Sequence, residues 1–191
     1  GIRGQKGGRS APTVWTAAWN NEQFWDGRAK TLEDQAKGPI QNPIEMDQDP
    51  VKLIAELKAI PEYSRRFDEA FRGTGGSAVT LDNLASAIAA FERSIASVNS
   101  PFDRYAAGDR TAMSESATRG LNLFRSVSTR CFECHELPTF AMKEYKVLGV
   151  PSLGDPTKLD EDRGRATVMP GASYERAFRV PTLRNVARTA P

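Results

Sequence analysis

Apolar residues along this chain recur mostly at helical spacing, and no segment shows the strict alternation of a half-buried strand. Val51, Ile54, Leu57 and Lys58 with Ile60 form one stripe behind Pro50, which suits a first helical position. Pro61 starts a second short helix through Phe67 and Phe71, closed by Gly73-Thr74-Gly75-Gly76. The strongest pattern follows: Thr80 as cap, then Leu81, Leu84, Ile88, Phe91 and Ile95 on one face, read as core packing. Ser114 opens another amphipathic helix with Ala117, Leu121 and Phe124. Upstream, residues 1–13 read as loop and Val14 to Asn21 as a short apolar turn or helix, with Trp15 and Trp19 assigned to the core. Thr31 caps a short helix from Leu32 to Ala36 that Gly38-Pro39 stops. Gly108-Asp109-Arg110 reads as a linker. The pattern predicts an all-α fold with no internal repeat.

Composition narrows this little. The 191 residues suit one domain or two small ones, and the 39% hydrophobic fraction is low for a globular chain. With 26 basic against 24 acidic residues, the net charge of +2 gives no case for nucleic acid or an anionic membrane surface. No apolar run approaches the length of a transmembrane helix. Gly1-Ile2-Arg3-Gly4 opens without a methionine or an apolar signal segment, so the chain reads as a processed or excised piece of a longer protein.

The chemistry is concentrated in one place. The chain has two cysteines and one histidine, and all three lie in Cys131-Phe132-Glu133-Cys134-His135. C-x-x-C-H is the attachment pattern of c-type haem, in which both sulfurs add to vinyl groups and the adjacent imidazole ligates the iron. A zinc site wants four ligands, and a thioredoxin-like pair wants a strand before it, whereas a helix precedes Cys131 here. A structural disulfide would leave His135 unexplained. A haem also supplies a large apolar plate, so a small protein core suffices. Because such haem is attached outside the bacterial cytoplasm, the expected location is the periplasm.

Further blocks carry a resemblance. They are Ala11-Pro12-Thr13, Phe24-Trp25-Asp26-Gly27-Arg28-Ala29, Leu32-Glu33-Asp34-Gln35-Ala36, Gly38-Pro39-Ile40, Glu45-Met46, the CxxCH, Val180-Pro181-Thr182-Leu183-Arg184-Asn185-Val186 and Thr189-Ala190-Pro191. In this order the chain resembles the bacterial di-haem cytochrome c peroxidase family, which includes tryptophan-quinone maturation enzymes. The resemblance implies a cytochrome c-like, two-haem-domain architecture truncated at both ends. Residues 1–108 would be a partial peroxidatic domain lacking its own CxxCH, and 109–191 an electron-transfer domain lacking its C-terminal end.

It also implies roles. Hydrogen peroxide would bind at the first haem in a pocket lined by Glu45, Gln35 and Phe24. Glu45 would move a proton between the peroxide oxygens, and Gln35 would hold peroxide without titrating. Trp25 matches an inter-haem tryptophan on the electron path. Electrons would come from a small donor protein, a cytochrome c or cupredoxin, and family members are often homodimers. A calcium ion would take carbonyls at Thr189 and Pro191, with Ser10 standing where the family has asparagine. Arg3 stands where some members carry a blocking histidine, so the first haem would be open without reductive activation. Met142 and Met169 are physically able to ligate the second iron but read as core filling. Two other readings stay open: a tryptophan-quinone maturation enzyme, and a mono-haem electron carrier without catalysis.

Overall fold

Helix α1 (Leu32–Gln41) begins where Thr31 Oγ1 accepts the Asp34 amide at 3.0 Å, with Glu33 and Asp34 in its first turn complementing the helix dipole. The structure, a computed structural model, describes residues 1–152 and 154–189. Its contacts divide the chain into two units, Gly1–Ala11 with Ala29–Ser94, and Pro12–Arg28 with Ile95–Pro191. Each is discontinuous in sequence. The expected boundary at residue 108 falls inside the second unit, between two of its helices.

The first unit holds α1, α2 (Pro50–Lys58), α3 (Pro61–Phe71) and α4 (Leu81–Ser94). Contrary to the sequence expectation, α1 does not stop at Gly38-Pro39 but runs through them to Gln41. Proline there removes one backbone donor, yet Leu32, Ala36 and Ile40 bury one face at four-residue spacing, and α1 packs on α4. Ion pairs Glu33–Arg93 and Lys37–Asp82, both at 2.7 Å, join the same two helices. On α4 the buried residues are Ala85 and Ala89, at 0% exposure, not the large apolar stripe. Small side chains let two helices approach closely, which turns the stripe one position round. Leu84 and Ile88 are half-buried, and Phe91 is 67% exposed, so the expectation that it packs in the core is corrected. Val51 on α2 is likewise exposed. The second cluster of this unit is Phe67, Ala78 and Val79, with Ile54, Leu57 and Phe71 against it.

The second unit is bound differently. It carries α5 (Pro101–Ala106), α6 (Glu115–Phe124) and an antiparallel pair, β1 (Tyr145–Val147) and β2 (Ala177–Arg179), in register Tyr145↔Arg179. An all-α chain is therefore corrected to a mostly helical one with a small two-stranded sheet. Three-residue strands are too short to alternate legibly, and β2 buries an arginine, Arg179 at 8% exposure, beside Ala177 at 1%. α5 is equally hidden in the sequence: six residues show no period, although Ser100 and Asp103 close a capping box on it. Ser114 caps α6 as expected. Trp15 and Trp19, assigned to the core from sequence, are 41% and 43% exposed. Among the described residues no helix is long and apolar enough to cross a membrane.

The alanine contact of α1 with α4 makes a prediction. Ala89→Leu should overpack it and cost about 1–3 kcal/mol, read as a lower urea midpoint with unchanged slope. An unchanged midpoint would mean the interface is loose.

Candidate functional site: the CxxCH turn and its supports

After α6 the chain turns at Arg130, whose φ of 55° is left-handed, into a single 3-10 turn, Cys131–Glu133. The His135 amide donates to Cys131 O at 3.0 Å, so the first cysteine and the histidine are stacked one turn apart. Both thiols are free and half-buried, as is the histidine. The loop 136–141 closes through the Glu136 amide on Ala141 O at 3.1 Å. At its end Phe140 O lies 3.0 Å from His135 Nδ1. A carbonyl only accepts, so Nδ1 carries the proton, and Nε2 is the nitrogen left to offer a lone pair to a metal.

These residues fit a covalently attached haem. Two free thiols precede an imidazole whose tautomer is already set for ligation. The helix leading in is amphipathic, yet α6 buries no residue: Leu123 is 60% exposed and Val127, just beyond it, 83%. That apolar surface suits a large apolar plate better than water. A cavity of about 320 Å³ nearby is lined by Phe124, Phe140, Leu183, Arg184 and Asn185, whose Nδ2 is buried without a partner.

Behind the turn, arginines hold the second unit together. Arg184 reaches Asp103 at 2.6 Å with its side chain 8% exposed, and holds that carboxyl well below the usual carboxylate range. Arg165, 6% exposed, donates from Nη1 to the carbonyls of Asp26 and Gly27 at 2.8 Å and from Nη2 to Glu22 at 3.0 Å. Glu22 also accepts the Tyr145 hydroxyl. A Cβ at Gly27, where φ is 69°, would collide with Tyr145, Arg165 and Glu22, so this turn takes glycine. Arg179 bonds neutral oxygens, Phe24 O at 3.2 Å and Asn20 Oδ1 at 2.9 Å, and burial pushes its pKa down. None of these arginines was singled out from sequence, because isolated buried cations leave no periodic signal.

The other expected site residues fall in both units. In the second, Phe24 has a left-handed φ of 66° and carries the Arg28 guanidinium 3.5 Å above its ring, while Arg28 is also paired with Asp26. The Trp25 carbonyl accepts the Arg179 amide at 2.8 Å, and its half-buried ring lines a small cavity with Trp15 and Pro181. In the first unit, Gln35 is half-buried on α1 and Glu45 is half-buried in the turn after it. That turn is tied to the end of α1: the Met46 amide donates to Pro39 O at 3.3 Å and the Gln48 amide to Ile40 O at 2.9 Å, satisfying terminal carbonyls. The Ile2 amide in turn donates to Glu45 O at 2.8 Å. Glu45 is thus held by backbone on both sides. Arg3, 75% exposed, faces Asp47 at 4.0 Å. Ser10 is exposed in the first unit, Thr189 is in the second, and Pro191 lies outside the described residues. Met142 lines a cavity of about 220 Å³, and Met169 is 45% exposed rather than core filling.

The family model described as di-haem cytochrome c peroxidase matches residues 1–111. The chain is 43% identical to a cytochrome c551 peroxidase of Pseudomonas aeruginosa, over 98% of this chain and 54% of that protein. It is 36% identical to the methylamine utilization protein MauG of Methylophilus methylotrophus, over 96% of this chain and 52% of that protein. Among solved structures, a MauG-like protein associated with microbial copper homeostasis superposes with a TM-score of 0.84 at 27% identity, covering 100% of this chain and 59% of the other. The diheme peroxidase BthA of Burkholderia thailandensis shares the fold, with a TM-score of 0.79 at 23% identity over 97% of this chain and 53% of the other. The chain spans about half the length of the curated relatives it matches.

The Tyr145 phenol generates a pH prediction. Burial first, and the hydrogen bond to Glu22 second, push its pKa up. The folded state therefore binds this proton more tightly than the unfolded one, and the stability it contributes is intact below pH ~10 and lost as pH rises further. Tyr145→Phe should flatten the alkaline limb of a stability-versus-pH curve. A limb as steep as that of the unsubstituted protein would assign the loss to another group.

Proposed function

The chain belongs to the di-haem cytochrome c peroxidase family, and we propose that it is part of a periplasmic enzyme that reduces hydrogen peroxide to two waters with two electrons from a small donor protein. The observation that carries this reading is the His135 Nδ1 bond to Phe140 O beside two free cysteines. It leaves Nε2 as the iron ligand, with Cys131 and Cys134 holding the haem covalently. Bound there, a haem c supplies one-electron redox chemistry at a potential set by its ligand and surroundings. We assign residues 109–191 to the electron-transfer domain and 1–108 to the peroxidatic one, following the family's order.

Glu45 is the acid–base group. Its carboxylate takes the proton from one peroxide oxygen and returns it to the other as the O–O bond breaks, so that oxygen leaves as water. The backbone bonds from Ile2 and to Asn42 fix the turn that presents it. Gln35, an amide that does not titrate, donates hydrogen bonds to peroxide and holds it in place. Phe24 contributes an apolar ring, and Trp25 an oxidisable indole on the electron path.

A second reading has its own support. The likeness to MauG, together with Arg3 in place of a blocking histidine, favours a maturation enzyme that oxidises a protein tryptophan. Peroxide activation by Glu45 is common to both.

Glu45→Gln in the full-length enzyme keeps the shape and loses the proton transfer. Peroxide turnover should fall by roughly 10²–10⁴-fold, with haem content and peroxide affinity changed much less. Turnover equal to that of the unsubstituted enzyme would remove Glu45 from the mechanism. Separately, steady-state assays with a reduced cytochrome and with a tryptophan-bearing protein substrate would separate the two readings.

A further inference from the structure

Residues Thr182, Leu183 and Arg184 bind three consecutive carbonyls of the loop that follows the CxxCH. Thr182 Oγ1 donates to Thr139 O at 2.6 Å, the Leu183 amide to Phe140 O at 3.1 Å, and Arg184 Nη2 and Nε to Pro138 O at 2.7 and 3.1 Å. Phe140 O therefore spends its two lone pairs on Leu183 N and His135 Nδ1. Whatever fixes that carbonyl fixes the imidazole.

Arg184 is unusually well placed to do so. A guanidinium has five N–H donors, and all five are used. Besides the two on Pro138, Nη2 donates to Asp103 Oδ1 at 2.6 Å, Nη1 to Asp103 Oδ2 at 3.1 Å, and Nη1 to Ser97 O at 3.2 Å. Its Cζ lies 5.7–5.9 Å from the rings of Trp19, Phe102 and Phe140, so the planar cation sits inside an aromatic cage. Asp103 is itself pinned, because its Oδ2 accepts the Ser100 amide at 2.8 Å in the α5 capping box. The support runs from α5 through Asp103 and Arg184 to the loop, and ends on the Nδ1 proton of His135.

We propose that Arg184, braced by Asp103, is a positioning residue that fixes the direction of the His135 Nδ1 bond and thereby sets the reduction potential of the iron this histidine ligates. The inference rests on the haem reading above. A firm Nδ1–H to carbonyl bond raises the basicity of the ligating nitrogen, which favours the ferric state. Loosening the carbonyl should move the potential upward. Lysine cannot replace the fork, having one compact ammonium where Arg184 uses a rigid plane.

The test uses the protein matured in a haem-attaching host, with potentiometric titration of the bound haem as readout. Asp103→Asn sets an amide NH₂ against the guanidinium, and Arg184→Lys removes the fork. Each should shift the one-electron equilibrium by about tenfold toward the reduced form, or ~59 mV, with covalent haem content unchanged. Asp103→Glu should recover most of the shift. Thr182→Val, which removes the bond to Thr139 O and the acceptor of the Arg184 amide but no charge, should give a smaller shift in the same direction, and it decides the matter if the charge variants fail to fold. Arg163→Gln breaks an exposed pair with Glu175 in the same unit and should not move the potential. Folded, haem-loaded Asp103→Asn and Arg184→Lys proteins at the original potential would overturn the proposal. So would an equal shift in Arg163→Gln, which would mark a general charge effect. An unsubstituted protein that matures without covalent haem would overturn the haem reading itself, and the proposal with it.

Discussion

The second unit depends on one carbonyl oxygen. The chain has a single histidine, and Phe140 O at 3.0 Å from its Nδ1 decides which ring nitrogen is left to bind a metal. A backbone acceptor gives this bond a fixed proton: an amide carbonyl cannot donate, and it does not titrate. The Phe140 backbone is itself left-handed, at φ 54°. The Phe140 ring is held edge-on by Phe102 and Phe124, with centroids 4.8 and 5.5 Å away. α5, α6 and the 182–184 segment therefore converge on one residue.

The two units solve the packing problem by different means. The first uses small residues: two alanines on α4 let α1 close on it, and Val79 with Phe67 fills the remaining core. The second has little apolar interior and instead buries arginines. Arg165, Arg179 and Arg184 bond backbone carbonyls of segments far away in sequence, replacing hydrogen bonds those carbonyls would make with water. Burying a cation costs free energy unless it is paired and fully bonded. Arg184 meets that condition completely; Arg165 leaves Nε without a partner. An apolar plate bound against α6 would supply the interior this unit lacks, consistent with a c-type domain built around its cofactor.

What the sequence made legible follows from which features leave a local signal. Cys131, Cys134 and His135 were visible at once, because their spacing is the chemistry. Thr31, Thr80 and Ser114 were read correctly as caps, since each side chain bonds an amide three residues on. The end of α1 is not legible because burial of Ile40 outweighs a proline at the eighth of its 10 residues. Phe91 looked like core because an apolar stripe does not say which side a partner helix occupies. The sheet was invisible at three residues per strand. Least legible were the supports of the site. A carbonyl such as Phe140 O belongs to every residue type, and Arg184, within residues 180–186, has nothing local to distinguish it from a surface cation.

The central claim is that this turn carries a covalently bound haem through Cys131 and Cys134. Intact mass spectrometry of the denatured protein, after passage through a haem-attaching periplasm, tests it most directly. The mass should exceed that of the polypeptide by one haem, and a Cys131→Ser/Cys134→Ser double variant should lose that increment. A folded protein at the bare polypeptide mass, with both thiols still reactive toward alkylation, would contradict it.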